Sequence, residues 1–318
     1  MYGPSVSHGT SDRRKRPVPG RIARSARRAA AYGAGWHHNA VSYEIRRGSP
    51  GSRRPISVIA HRGASEDAPE HTLAAYRKAI EDGADGLECD VRLTADGHLV
   101  CVHDRRVNRT SNGRGAVSAL ELADLAALDF GSWKGWSDAQ ESPETESREH
   151  TSVLTLERLL RLVEEQATAG RRVELAIETK HPTRWAGQVE AELLRVLSRH
   201  DPAIPVRVMS FSARSLHRVR AAAPWIPTVY LMQFLLPRHR DGRLPPGVGI
   251  AGPSIRILRN HPEYVALAHS LGHQVHVWTV DDPDDVELCA LLGVDAIITN
   301  RPRHVLSQLA RLERDRLV

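Results

Sequence analysis

The feature that most constrains this chain is a change of hydrophobic period that keeps repeating. From Ile56 onward, short apolar runs alternate with segments of helical spacing. The runs lie at Ile56–Ala60, 85–91, 98–102, Val173–Ile177, Val206–Met209, Thr228–Met232, near 248–252, Gln274–Trp278 and Asp295–Thr299. Helical periods fill 70–82, 118–128, 154–167, 183–199, 212–222 and 261–271, and further helices start at Pro283 and near 303. Leu73, Tyr76 and Ile80 show the spacing, and Gly83 supplies a stop signal. Strands separated by helices build parallel sheets with right-handed crossovers. About eight such units predict an α/β fold of the (β/α)8 TIM-barrel type, a parallel sheet closed on itself. An open doubly wound sheet is the runner-up. It favours a glycine-rich phosphate turn after the first strand, and Ala60-His61-Arg62-Gly63 is not one.

Composition sets the domain boundaries. Residues 1–55 hold 12 Lys and Arg against two acids, a net +10, so the chain's overall +6 belongs to its start. The remainder carries 32 basic and 36 acidic residues and is mildly acidic. The expected organisation is a disordered basic tail at 1–55 and a barrel domain at 56–318. A nucleic-acid interface on the folded body has no basic excess to draw on. The tail itself is suited to anionic surfaces. Its Arg- and Ser-rich, acid-poor composition also resembles a transit peptide, and a start assigned too far upstream is a third reading. No run reaches the roughly 20 apolar residues of a membrane span. Cys89, Cys101 and Cys289 suit neither a disulfide framework nor a zinc site, so they read as buried thiols of a cytoplasmic protein. Residues 131–150 are polar and without period, the composition of a surface-loop insertion.

Barrel chemistry comes from the C-terminal ends of strands. Those ends here deliver His61 and Arg62, then Glu88 and Asp90, then His103 and Asp104, then Glu178 and Lys180. Strand side chains alternate with period two, so Glu88 and Asp90 share one face and Leu87, Cys89 and Val91 the other. Each residue has a mild explanation alone, as a solvated or ion-paired strand end. Three carboxylates in one barrel mouth are costly to bury unless a cation sits among them. A carboxylate set without cysteine favours a hard divalent ion, Ca²⁺ or Mg²⁺. Arg62 and Lys180 supply charge for an anionic, most naturally phosphate, substrate. Two histidines can exchange protons near neutrality. The set fits metal-assisted hydrolysis of a phosphate ester.

The same residues lie in a series of spaced motifs. His61-Arg62-Gly63 is followed by Pro69-Glu70-His71-Thr72, Gly86-Leu87-Glu88-Cys89-Asp90-Val91 and His103-Asp104 with Arg109-Thr110. Later come Ile177-Glu178-Thr179-Lys180, Val277-Trp278-Thr279-Val280 and Ile298-Thr299-Asn300-Arg301-Pro302. In this order the chain resembles the glycerophosphodiester phosphodiesterase family over about residues 56–310. The resemblance implies a (β/α)8 barrel that hydrolyses glycerophosphodiesters to an alcohol and glycerol 3-phosphate. It implies His61 and His103 as the acid/base pair, with Glu88, Asp90 and Glu178 as ligands of Ca²⁺ or Mg²⁺. Arg62 and Lys180 would grip the phosphate, and Trp278 would pack against substrate or serve as a rim aromatic. Attack by the substrate's own neighbouring hydroxyl, through a cyclic phosphate, is the implied route.

Three positions depart from the family pattern. His71 stands where an asparagine is usual, Asn300 where an aspartate is usual, and Thr179 separates Glu178 from Lys180 in place of isoleucine. The first two bear on substrate preference rather than on the carboxylate set. A phospholipase D-like action on lysophospholipids is the alternative activity, with residues 231–236 read either as strand and core or as a candidate apolar rim. A barrel that binds phosphodiesters without turnover is a third reading, opposed by the intact His61 and His103.

Overall fold

Eight parallel strands close into a barrel in the computed structural model, which describes residues 56–135, 151–181 and 187–315. The tail at 1–55 and residues 136–150 of the expected insertion lie outside the described residues. The barrel strands are β1 (Ser57–His61), β2 (Gly86–Leu93), β4 (Glu174–Thr179), β5 (Val206–Ser210), β6 (Thr228–Met232), β7 (Ile250–Pro253), β8 (Gln274–Val277) and β9 (Ala296–Thr299). Neighbours in that order pair in parallel, and β1 closes the ring by pairing with both β2 and β9. The expected closed barrel is therefore present, and the open sheet is excluded.

One expected strand has a different role. The 98–102 run forms β3 (Leu99–Cys101), which lies antiparallel to β2 and outside the ring. Strand β2 is eight residues long, overruns the rim, turns at Thr94–Gly97 and comes back. The Val102 N–H then donates to the Asp90 carbonyl, which returns the chain to the level of the mouth just before His103.

Around the ring run α1 (Leu73–Glu81), α2 (Leu122–Ala126), α3 (Leu156–Thr168), α4 (Gln188–Leu197) and α5 (Ala213–Ala222). They are followed by α6 (Ile255–Asn260), α7 (Tyr264–Ser270), α8 (Pro283–Leu292) and α9 (Pro302–Asp315). Thr72 caps α1 by accepting from the Ala75 N–H, and Leu73, Tyr76 and Ile80 bury its inner face. The continuous helix expected over 118–128 is instead a 3-10 turn at Val117–Ala119 and the short α2. Tertiary bonds prevail there: the Leu120 carbonyl accepts from Ala95 N–H, and Asp96 takes the Leu122 N–H. Helix α6 was not expected. It ends before His261-Pro262, where a residue preceding proline disfavours helix.

The alternation sorts the core into two. Val58, Leu87, Cys89, Leu175, Ile177, Val208, Val275 and Val277 face the helices in the main cluster. Ile59, Ala176, Met209, Val229, Leu231, Ile250 and Ile298 form a separate cluster that fills the barrel interior. The interior faces above and below that layer are polar, and the upper one is the mouth. All three cysteines are buried and unpaired, as expected.

Candidate active site

His61 ends β1 and Arg62 follows with φ +59°, a left-handed backbone that costs a non-glycine residue roughly 1 kcal/mol or more. The surroundings hold it there. The Arg62 N–H donates to Glu88 Oε2 at 3.0 Å and its guanidinium donates to Glu70 Oε1 at 2.9 Å. Gly63 continues the turn at φ +84°, where a Cβ would fall 2.6–2.7 Å from Ala75 of α1. Glycine is required there, because the turn packs directly on that helix.

Glu88 and Asp90 on β2 and Glu178 on β4 project into the mouth, as the alternation requires. Their carboxylate oxygens lie within 4.8 Å of one another, and all three residues are buried. Asp90 is the best compensated. Lys180 Nζ lies 3.0 Å from Asp90 Oδ1, Arg62 Nε 3.2 Å from its Oδ2, and His71 Nε2 2.9 Å from the same oxygen. Burial opposes its charge, but Lys180 and His71 hold Asp90 well below the usual carboxylate range. Lys180 also reaches Glu178 at 2.9 Å, yet burial and the Asp90 charge push Glu178 up to about 8. Glu88 is raised well above its ordinary value, by burial first and then Asp90. Among the described residues no cationic side chain pairs with Glu88. Three buried carboxylates thus face two cationic side chains, one of which, Arg62, is shared with Glu70. That shortfall of positive charge, in an oxygen-only donor set, fits a hard divalent cation.

The two histidines stand on either side of this cluster, both within the field of Asp90. His61 Nδ1 lies 2.7 Å from Asn300 Oδ1. Burial, and then the neighbouring Arg62 charge, pull His61 down to about 3, so its ring is neutral. His103 Nδ1 lies 2.7 Å from Asp104 Oδ1, and Asp104 Oδ2 accepts from Arg109 Nε at 2.7 Å. His103 is also lowered by burial, with Asp104 among the groups opposing that shift. The Arg92 guanidinium donates twice to the His103 carbonyl, at 3.0 and 2.6 Å, which anchors the backbone beneath the ring. The mouth opens as two lobes. One of about 350 Å³ borders His61, Arg62, Glu70 and Asn300, and one of about 500 Å³ borders His103, Lys180, Arg92 and Phe211.

Trp278 follows β8 on the rim. Its indole N–H donates to the Gly252 carbonyl at 2.7 Å, and its ring meets Phe211 edge-on with centroids 5.4 Å apart. His71 is buried between Asp90 and the Tyr76 hydroxyl, which lies 2.8 Å from its Nδ1. It is therefore a brace behind Asp90 rather than a group on the open mouth.

Glu70 and Arg109 received no role from the sequence. Arg109 clamps Glu70 at 2.7 and 2.8 Å while holding Asp104, so it ties the His61 side of the mouth to the His103 side. Arg92 was within reach, because it extends the period-two face of Glu88 and Asp90. Asp282 caps α8 by accepting from Asp284 N–H. The neighbouring Asp281 turns instead to Thr299 and Asn300.

A parallel barrel with paired imidazoles, buried carboxylates and cationic side chains at the C-terminal ends of its strands is the architecture of a phosphoester hydrolase. Comparison with known proteins narrows the class. The model of the glycerophosphoryl diester phosphodiesterase family matches residues 61–304. A probable glycerophosphodiester phosphodiesterase 1 of Mycobacterium tuberculosis is 45% identical over 255 residues, covering 77% of this chain and 89% of that protein. A glycerophosphodiester phosphodiesterase of Bacillus subtilis is 34% identical over 257 residues, covering 78% and 84%. Among solved structures, an Oleispira antarctica phosphodiesterase in complex with the product sn-glycerol-3-phosphate superposes with a TM-score of 0.69 at 26% identity, over 80% of this chain and 96% of that one. The chain belongs to the glycerophosphoryl diester phosphodiesterase family and is a phosphoric diester hydrolase. No helix among the described residues is long and apolar enough to cross a membrane.

Proposed function

We propose that this protein hydrolyses glycerophosphodiesters to an alcohol and glycerol 3-phosphate, with a divalent cation held by Glu88, Asp90 and Glu178. The observation that carries the reading is the pair of imidazoles beside that cluster, each with Nδ1 engaged and Nε2 left for substrate. The cation, Ca²⁺ or Mg²⁺, would lower the pKa of a bound hydroxyl and offset charge on the phosphoryl oxygens.

His61, neutral, takes the proton of the glycerol hydroxyl that neighbours the phosphate. That oxygen attacks phosphorus and a cyclic phosphate forms. His103 must enter this step as the imidazolium, its charge supported by Asp104 at Nδ1 and by the bound phosphodiester, and it gives its Nε2 proton to the departing alcohol. Water then opens the cyclic phosphate with the two histidines exchanging roles. Lys180 and Arg62, positioned through Asp90, Glu178 and Glu70, bear on the phosphoryl oxygens. A chelator abolishes turnover of glycerophosphodiesters in this reading, and Ca²⁺ or Mg²⁺ restores it. Absence of turnover with every divalent ion tried would refute it. His61→Ala and His103→Ala each lose about 10²–10⁴-fold in kcat with the fold intact.

A second reading rests on a specific observation. Phe211, Phe234 and Leu236, beyond the ends of β5 and β6, are 42%, 71% and 41% exposed. Apolar side chains on the rim favour a substrate that carries an acyl chain, as lysophospholipids do. The ratio of kcat/KM for lysophosphatidylcholine to that for glycerophosphocholine decides between the two. A ratio above one favours the lipid, and Phe234→Ser should then lower it.

A further inference from the structure

We propose that Asp281 and Asn300 form a positioning relay that selects the tautomer of His61, with a carboxamide touching the ring and the carboxylate placed one step behind. The inference rests on His61 acting as a base and concerns how that base is prepared. The relay crosses the ends of three adjacent strands. Asp281 follows β8, Thr299 ends β9 with Asn300 next to it, and His61 ends β1, with Ala60 in register with Thr299.

Asp281 is tightly engaged. Its Oδ1 accepts from Thr299 Oγ1 and from the Asn300 N–H, both at 2.8 Å, and its Oδ2 accepts from Asn300 Nδ2 at 2.6 Å. A carboxylate only accepts, so the Asn300 amide must turn its NH₂ toward Asp281 and its oxygen away. That oxygen is the atom 2.7 Å from His61 Nδ1. The Ser65 hydroxyl, 2.7 Å from Asn300 Oδ1, is compatible with either face of the amide, so Asp281 alone makes the choice. Facing an oxygen, His61 Nδ1 must carry the proton, and Nε2 is left with the lone pair that a base needs. A flipped amide would present NH₂ to Nδ1, drive the proton to Nε2 and leave the ring without a basic nitrogen toward substrate. Holding the correct tautomer is a recognised function of a group behind a catalytic imidazole. Here a neutral amide does it without placing a full negative charge against the ring.

The geometry makes a reciprocal prediction. In Asp281→Asn, the new amide keeps its oxygen on Thr299 and the Asn300 N–H and turns its NH₂ toward Asn300. The Asn300 side chain then flips, and His61 is driven to the other tautomer. Adding Asn300→Asp restores an acceptor on both sides. The expected result is that D281N lowers kcat about tenfold or more with KM within about twofold, while D281N/N300D returns to within about threefold of the parent. Side-chain ¹⁵N–¹H correlation spectra, with His61 assigned by difference against His61→Ala, should show Nδ1–H in the parent and the double variant and Nε2–H in D281N. The proposal is overturned if the parent carries Nε2–H. It is equally overturned if D281N keeps the parent kcat and tautomer, or if the double variant is no better than D281N. Parent-like turnover in His61→Ala would instead refute the base assignment, and the spectra would still decide the relay.

Discussion

The two ends of the barrel interior are built from the same strands by the same alternation, yet they carry charge in opposite ways. On β4, Glu174 lies at the floor, Ala176 in the apolar layer and Glu178 at the mouth. On β8, His276 belongs to the floor and Trp278 follows at the rim. At the floor, Arg207 of β5 pairs with Glu174 and lies 3.0 Å from His276 Nδ1. Burial, then the Arg207 charge, drops His276 well below its ordinary value, so the ring is neutral. One cation meets one anion, and the floor charge is balanced. In the carboxylate cluster of the mouth, Glu88, Asp90 and Glu178 have two cations in ion-pair contact, Arg62 and Lys180, and two of the three carboxylates are pushed up in pKa. Burial of charge does not by itself mark an active site. A residual imbalance is what sets the mouth apart, because its buried carboxylates lack the partner that a bound cation would supply.

That contrast can be broken by substitution at either end. The largest effect belongs to the mouth. Asp90→Asn or Glu178→Gln should lower kcat/KM by roughly 10³ or more, since a metal's electrostatic assistance is worth several kcal/mol. Isothermal titration with Ca²⁺ or Mg²⁺ should lose its binding heat in the same variants. Next is the floor. Arg207→Met strands a partly exposed Glu174 and should destabilise by about 2–3 kcal/mol in denaturant titration, less than for a fully buried pair. Turnover of the folded fraction should stay within about twofold. If Arg207→Met proved as inactive as the mouth variants, the distinction would be erased.

A smaller effect tests the imbalance through pH. Glu88 and Glu178 have folded pKa values above their unfolded ones, so between about pH 6.5 and 8 the unfolded state binds fewer protons than the native state. Metal-free protein should therefore lose on the order of 1 kcal/mol of stability per pH unit across that window. Added divalent ion or Glu178→Gln should flatten the slope. Below about pH 6.5 the sign reverses, because His61, His71, His103 and His276 are all lowered and the unfolded chain binds the extra protons. Thermal melts at several pH values, with and without chelator, read both arms. The smallest effect is at Arg109, nearly half exposed at 44%. Arg109→Ala should cost about threefold in kcat by loosening Asp104 behind His103, an effect that added salt in the parent partly mimics.

The comparison also shows which features were legible beforehand. Glu88, Asp90 and Glu178 could be grouped because strand period is strict and barrel chemistry gathers at one end of the ring. Period assigns a face but not a height, and it was their places at the start and just past the end of the Val173–Ile177 run that separated the floor residue Glu174 from the ligand candidate Glu178. Strand β3 looked like a barrel strand because its short apolar run has no direction. The turn residues Thr94-Ala95-Asp96-Gly97 signalled a hairpin, and pairing with β2 showed that its second arm lies outside the ring and carries His103 back to the mouth. Helix spacing at 118–128 was real as a pattern, and bonds from Ala95 and Asp96 overrode it.

By itself, the sequence determined the barrel, the strand ends that hold the candidate site residues, and the family. These follow from periodicity and from motif spacing, which are local properties of the chain. Tertiary structure alone decided which polar atoms face one another. Arg109 reaches Glu70 across 39 positions, and Asn300 reaches His61 across 239. No pattern in the chain encodes such pairs, because they exist only once the ring has closed and brought β1 beside β9.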